Sequence, residues 1–260
     1  MTNPGERPGV AVVTGVGRRR SIGAALALAL AEDGWDLVLS HWRPYDDRLG
    51  YERSPDDPEA VADACRALGA RVELLAGDLA DPAVPARILR EAALLGPVRG
   101  LVMSHCESVD SSILDTDVDS WDRHFAVNAR ASWLLVKAFA EQLPVQAAPG
   151  EVGGRIVALT SDHTTHNLPY GASKGALDRI VIAAAVELAD RGVRANVVNP
   201  GPIDTGWMDD GIRAGAVAAT PAGRLGTPRD TADLVRFLFS PQGSWINGQL
   251  LNSNGGFGTG

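Results

Sequence analysis

The sequence predicts an α/β fold, a doubly wound parallel sheet with helices on both faces, carried by one domain over residues 1–260. Three observations predict it. Short runs rich in Val, Leu and Ile alternate with longer Ala- and Leu-rich segments along the whole chain. The apolar runs are short and continuous, as in strands covered on both faces. Glycines punctuate the junctions where one kind of element should give way to the other. Strands alternating with helices of this length pair in parallel through right-handed crossovers.

The elements follow in order. "GVAVVTG" (9–15) is a β-branched run closed by glycine and reads as the first strand. "SIGAALALALAEDG" (21–34) reads as a helix stopped by Gly34. "WDLVLSHW" (35–42) is the second strand, and "RPYDDRLGYERSPDDP" (43–58), with three prolines and many charges, reads as a loop. A helix over 58–69, a strand over 71–78 and a helix over 85–96 come next. A strand over 99–105 precedes one long helix, "VDSWDRHFAVNARASWLLVKAFAEQL" (118–143). "GGRIVALTS" (153–161) is a strand, "YGASKGALDRIVIAAAVELADRG" (170–192) a helix and "VRANVVNPG" (193–201) a strand. Weak regular structure marks 202–226, and a loop of that length in a compact domain is usually functional or mobile. A helix over 227–240 and a last strand over 248–256 complete the chain.

Composition narrows the function classes. Apolar residues make up 45% and charged residues 22%, an ordinary globular balance. The net charge of -8 argues against a non-specific nucleic-acid binder. "MTNPGERPGV" lacks the apolar centre of a signal peptide, and no apolar run is long enough to span a membrane. Two cysteines, Cys65 and Cys106, without metal-ligand spacing read as reduced thiols, so a cytoplasmic location is expected.

"TGVGRRRSIG" (14–23) sits between the first strand and the first helix. In such a fold that turn binds phosphate: glycines admit the backbone, and the helix N-terminus offers unpaired N–H groups and partial positive charge. Gly15, Gly17 and Gly23 supply the glycines, with Ser21 and Ile22 at the helix start, but the turn is widened and filled by Arg18, Arg19 and Arg20. A cofactor without a 2′-phosphate is usually held by a carboxylate near the end of the second strand. That position carries His41, with Arg43 two residues on, and Asp36 lies at the opposite strand end. Arginine suits a 2′-phosphate. NADP(H) is therefore expected ahead of NAD(H), clamped by one or two of these arginines, Arg19 and Arg43 foremost.

"YGASK" places Tyr170 and Lys174 one helical turn apart on one face. A tyrosine alone titrates near pH 10 and exchanges protons poorly at neutrality, and a neighbouring ammonium favours its phenolate. Tyr170 can then protonate a carbonyl oxygen as hydride arrives. Ser161, at the end of the preceding strand, can donate a hydrogen bond to the same oxygen.

These residues resemble the short-chain dehydrogenase/reductase family over nearly the whole chain, including members that act as 3-oxoacyl-thioester reductases. The resemblance implies a single-domain Rossmann-type fold. "GDLAD" resembles the stretch that holds the adenine, through Asp78 and Leu79. "HFAVNARAS" resembles the helix whose asparagine, here Asn128, supports a proton-relay water. "NVVNPGPIDTGW" resembles the nicotinamide segment, with Pro200, Gly201, Ile203 and Thr205 as contacts. By resemblance the active-site tetrad is Asn128, Ser161, Tyr170 and Lys174, Lys174 also binding the ribose. No metal is implied, and self-association as a tetramer or dimer through the helices "ASWLLVKAFA" and "RIVIAAAVELA" is.

Four departures from the family pattern stand out. The phosphate turn is longer than the common form. Ser104-His105-Cys106 replaces Asn-Ala-Gly after the fourth strand. The segment from Ser161 to Tyr170 is several residues short, which leaves Thr160 or Ser161 for the serine role, Ser161 preferred. Asn254-Gly255-Gly256 replaces Asp-Gly-Gly. By resemblance, the substrate side gathers His105, Glu107, Asp162, His163, Trp207 and Met208 as candidates, for a small-molecule carbonyl or alcohol. The rival expectations are a non-catalytic NADP-binding regulator and an NAD-dependent sugar or polyol dehydrogenase.

Overall fold

The computed structural model describes residues 7–50, 54, 57–145, 147–148 and 150–258. The first six residues, part of the N-terminal stretch read for a signal peptide, lie outside that range. Strands β1 (Val10–Thr14), β2 (Asp36–His41), β3 (Val72–Ala76), β4 (Val98–Met103), β5 (Gly154–Leu159), β6 (Val193–Asn199) and β7 (Leu250–Asn252) form one sheet in the order β3-β2-β1-β4-β5-β6-β7. Every pairing is parallel.

The pleat explains the apolar runs. Val10 and Val12 of β1 face one cluster, and Ala11 and Val13 face the other. The first cluster packs under α4 (Ala83–Leu95), α6 (Ala131–Glu141) and α7 (Leu168–Glu187). The second packs under α1 (Ile22–Glu32), α3 (Asp57–Ala67) and α9 (Pro228–Phe239). Both faces are closed, so a polar alternation would have nowhere to point. Phe139 of α6 is fully buried against β5, where an added Cβ on Gly154 would stand 2.7 Å from its ring. Truncating Phe139 to Ala is expected to cost about 3–5 kcal/mol.

Three segments differ from the sequence reading. Within 43–58, Arg43–Leu49 forms a short helix, α2, with proline in its first turn and Gly50 in the left-handed region at its end. The charges there suggested a loop, but several of them are spent on partners elsewhere in the fold; residues 51–53 and 55–56 of that stretch lie outside the described range. Within 202–226, Asp210–Ala219 forms α8, capped by Asp209, whose carboxylate accepts the Ile212 N–H at 2.8 Å. No α8 residue is buried, so the helix has no core-facing stripe to anchor it. The helix read over 118–143 is α5 (Val118–His124), a π-helical segment (Phe125–Arg130) and α6.

In the sheet order the chain reverses direction between β1 and β4. At such a switch point the connections leaving the two strands diverge and open a crevice at the strand C-termini. No helix among the described residues is long and apolar enough to cross a membrane.

Candidate active site

A cleft of about 210 Å³ occupies that crevice. The turn after β1, the ends of β2, β4 and β5, α2, and Tyr170 and Lys174 of α7 all line it. Gly15 has φ +77°, and an added Cβ would meet the Ser104 backbone at 2.7 Å, so the first turn and the end of β4 pack without room for a side chain. An added Cβ on Gly23 would stand 2.5 Å from the Gly15 carbonyl, which seats α1 against the turn. Ser21 caps α1, its hydroxyl accepting the Ala24 N–H at 3.0 Å.

The three arginines of the turn go three ways. The Arg18 Nε lies 3.1 Å from Asp46 of α2, and its Nη1 donates to the Thr205 carbonyl at 2.9 Å. Arg19 pairs with Asp57 at the start of α3, 3.1 Å away. The charge of Arg20 acts on Asp204, after β6, helping to hold that carboxyl below its ordinary range. The largest of the causes there is the Gly206 N–H. Arg43 pairs with Glu59 at 2.9 Å. Of the four arginines weighed for a phosphate, only Arg18 lines the cleft. Runs of charge in a sequence do not reveal which acids the fold will bring to them.

His41 lines the cleft at the end of β2, nearly buried. Its Nδ1 has no hydrogen-bond partner among the described residues. Burial first, then the Arg43 charge, lowers its pKa, so it is a neutral ring and not a cation. Asp36, at the other strand end, is held by Arg7 and Arg71 at 2.6 Å each.

At the far wall, Asp78 pairs with Arg123 of α5 at 2.8 Å. Burial alone would raise the Asp78 carboxyl, but the Arg123 hydrogen bond, the Ala80 N–H and the nearby arginine charges outweigh it and lower the pKa. Glu107, weighed for the substrate side, belongs to this end. It is buried and bridges Arg123 to Arg48 of α2.

His105 lines the cleft as a neutral, hydrogen-bonded ring. Its Nδ1 lies 2.7 Å from the Thr14 hydroxyl, and its Nε2 3.1 Å from the Val127 carbonyl. Burial, helped by the Lys174 charge, lowers its pKa to about 3. The ring spans β1, the loop after β4 and the π-helical segment, where a small residue would leave those groups unpaired.

Asn128 sits in that π-helical segment, fully enclosed. Its side-chain oxygen accepts the Glu107 N–H at 2.7 Å, and its amide donates to the Glu107 carbonyl at 2.9 Å and to the Ser173 hydroxyl at 2.8 Å. Asn128 thus ties the loop after β4 to α7 rather than lining the cleft. π-Helical turns often occur at functional sites, and nothing in the helical spacing announced this one.

The spacing of Tyr170 and Lys174 holds in α7. The Lys174 Nζ lies 5.7 Å from the Tyr170 ring centre and donates to the Leu159 carbonyl, at the end of β5, at 2.8 Å. Lys174 is 3% exposed. Burial lowers its pKa, and the neighbouring Cys106 and Asp178 partly offset that. An ammonium so shielded from water acts strongly on what is beside it.

Other expected residues divide. Gly15, Gly17, Ser21, Ile22, Leu79, Ser104, Pro200 and Thr205 line the cleft, and Gly23, Gly201 and Ile203 do not. Thr160 lines it as well, whereas the Ser161 hydroxyl, one residue on, accepts the His163 N–H at 3.2 Å outside the lining. Asp162, His163, Trp207 and Met208 are also outside it; the Trp207 ring N–H donates to the Ile203 carbonyl at 3.0 Å. Among the described residues no three His, Cys, Asp or Glu side chains gather as a metal site. Sequence reasoning missed Trp42, Tyr45 and Asp46, which line the cleft from α2 and the residue before it, and Arg123.

An α/β sheet with its crevice at the β1–β4 switch, a glycine turn under it and a Tyr-Lys pair beside it defines a nucleotide-cofactor oxidoreductase fold. The chain belongs to the short-chain dehydrogenase/reductase family. A family profile described as enoyl-(acyl carrier protein) reductase matches residues 15–258. An uncharacterized oxidoreductase of Bacillus subtilis is 34% identical over 253 residues, covering 95% of this chain and 96% of that one. An NADPH-dependent aldehyde reductase-like chloroplastic protein of Arabidopsis thaliana is 35% identical, covering 95% and 93%. Among solved structures, a blue fluorescent protein from a metagenomic library, in complex with NADPH, superposes with TM-score 0.83 at 32% identity, covering 97% and 98%. A short chain dehydrogenase from Burkholderia cenocepacia, in complex with NADP, gives 0.82 at 32% identity, covering 96% and 97%.

Proposed function

We propose that the protein is an NADP(H)-dependent oxidoreductase that interconverts a carbonyl and a secondary alcohol, with Tyr170 as the acid/base. The observation that carries this reading is the buried Lys174 ammonium beside the Tyr170 ring, at the cleft end of β5. The cleft residues suit a dinucleotide. The glycine turn and the Ser21-capped helix start suit its phosphates, and the unpartnered His41 Nδ1 suits a ribose hydroxyl. The relatives whose names carry NADPH or NADP support the choice of cofactor.

A nicotinamide held in this cleft supplies the hydride. Tyr170 holds the proton that goes to the carbonyl oxygen. Lys174 stabilises the phenolate left behind. Thr160 or Ser161 steadies the developing negative charge on that oxygen; Thr160 is already on the wall, and Ser161, which accepts the His163 N–H, keeps its own O–H to donate. Asn128 positions the reacting groups by fixing Glu107 and Ser173. Two free thiols fit a cytoplasmic protein. Trp133 and Val186, half or more exposed on α6 and α7, would be covered by self-association, which sedimentation would register as a dimer or tetramer.

The test is a set of matched substrates, each a small ketone or aldehyde, a 3-oxoacyl thioester, and the corresponding enoyl thioester, incubated with NADPH. Alcohol products are expected. Saturation of the enoyl bond with no alcohol from any carbonyl would overturn the reading.

A further inference from the structure

The proposed chemistry turns on the charge of Lys174, yet that side chain is buried, and its Nζ donates to the Leu159 carbonyl at 2.8 Å. Burial opposes such a charge. α7 sets a carboxylate behind it. Asp178 is one turn on from Lys174, which is one turn on from Tyr170, so the three share one face of the helix. Long helical side chains lean towards the N-terminus, which carries Lys174 over Tyr170, its Nζ 5.7 Å from the ring centre, and leaves Asp178 at its back. Asp178 is half-buried. Its Oδ1 is enclosed and closes no hydrogen bond among the described residues. The same holds for the Oγ1 of Thr160, which follows Leu159 on the cleft wall. That hydroxyl stands near enough to act on the Asp178 carboxyl without closing a bond to it. An enclosed carboxylate oxygen without a donor is unfavourable unless a charge compensates it. The ammonium on the same face is that charge.

We infer that Asp178 is a positioning residue: its carboxylate, one turn behind Lys174, holds that lysine in its charged state and so sustains the Tyr170–Lys174 pair as pH rises. This rests on the carbonyl chemistry proposed above. Asp178 does not line the cleft, so it acts through Lys174 and not on the substrate. The other groups around the ammonium come from three places. On α7 itself, Tyr170 is the group that the ammonium serves. From the loop after β4 come the neutral His105 ring and Cys106, which acts on Lys174 in the same direction as Asp178. A thiol gives up its proton at far higher pH than a carboxyl, so the carboxylate is the negative charge present at neutrality. From the π-helical segment, Asn128 is uncharged and tied to Glu107 and Ser173. Arg179, the next residue on α7, favours the ionised form of Asp178. Adjacent helical positions do not face each other, so Arg179 does not take the place of Lys174.

The chain has two lysines, Lys137 and Lys174, so protein labelled with carbon-13 at the lysine Cε gives two resonances, and Lys137→Arg leaves that of Lys174 alone. The test follows the Lys174 resonance with pH, without cofactor, in the wild type, Asp178→Asn and Asp178→Glu. Asp178→Asn should bring the Lys174 midpoint down by about one pH unit, and Asp178→Glu, which keeps the charge, should recover most of the change. The alkaline fall of kcat/KM for carbonyl reduction by NADPH should move down with it, a loss of about tenfold on that limb. The same Lys174 midpoint in wild type and Asp178→Asn would overturn the inference. A lowered midpoint in Asp178→Asn, beside a wild type that reduces no carbonyl, would leave Asp178 as the holder of the lysine charge and remove the proposed function instead. If Asp178→Asn does not fold, the wild type decides. Its Lys174 resonance should show a second, smaller step at acid pH as Asp178 takes up a proton, and a curve with one step would overturn the inference.

Discussion

At one end of the cleft, Tyr170 and Lys174 stand a helical turn apart on α7, and the lysine is locked to the Leu159 carbonyl. At the other end, three consecutive arginines leave one turn for three destinations: Asp46, Asp57 and the neighbourhood of Asp204. Both regions looked equally rich in function as sequence. They differ in what fixes them. The Tyr-Lys pair depends on helix period alone, which any folded α7 reproduces. The arginines depend on acids that α2, α3 and the loop after β6 deliver from far along the chain. A local spacing carries its geometry with it, and a local charge does not.

The contrast can be tested from its strong end to its weak one. Replacing Lys174 with Met should lower kcat/KM by roughly 10²–10⁴-fold in a steady-state assay with a carbonyl substrate, because it removes the charge beside the tyrosine. Retention of activity within a few fold would mean that helical spacing misled as well. Asn128→Ala should leave the Glu107 N–H and carbonyl without partners and cost about 1–3 kcal/mol by urea unfolding. An unchanged midpoint would show that the π-helical segment holds itself.

His105 gives a pH-dependent prediction. Its folded pKa of about 3 lies below its ordinary value of 6.5, so the unfolded chain binds a proton that the fold refuses. Stability is then full above pH 6.5 and falls as pH drops from 6.5 towards 3, by on the order of 1–2 kcal/mol down to pH 5. His105→Asn should flatten that part of the thermal-melt profile relative to wild type. An identical slope in both proteins would place the acid sensitivity elsewhere. The smallest effect belongs to the two arginines outside the cleft. Arg19→Ala with Arg43→Ala should change the NADPH constant by no more than about threefold, since neither arginine lines the cleft.

The sheet was legible because its strands are apolar on both faces and its helices are amphipathic or capped. The order of elements followed from that, and the crevice from the order. α8 was not legible because it buries nothing, and α2 because its charges read as solvent exposure while Asp46 is in fact enclosed. Tyr170, Lys174 and the glycine turn were legible from spacing. Asn128 was found by family resemblance, but its task of pinning Glu107 and Ser173 was not, since it depends on a π-helical turn. Glu107 and His105 were assigned to the substrate side on their position after β4. Both line the cleft, and the fold also gives them buried partners, Arg48 and Arg123 for one and Thr14 and Val127 for the other.

The most direct test is a single-turnover measurement of NADPH oxidation by wild type and Tyr170→Phe, with a carbonyl substrate and NADPH binding matched in both. The Tyr170→Phe variant is expected to bind NADPH as well as the wild type does and to transfer hydride at least about a hundredfold more slowly. Equal rates in the two proteins would contradict the proposed mechanism and remove Tyr170 from the chemistry.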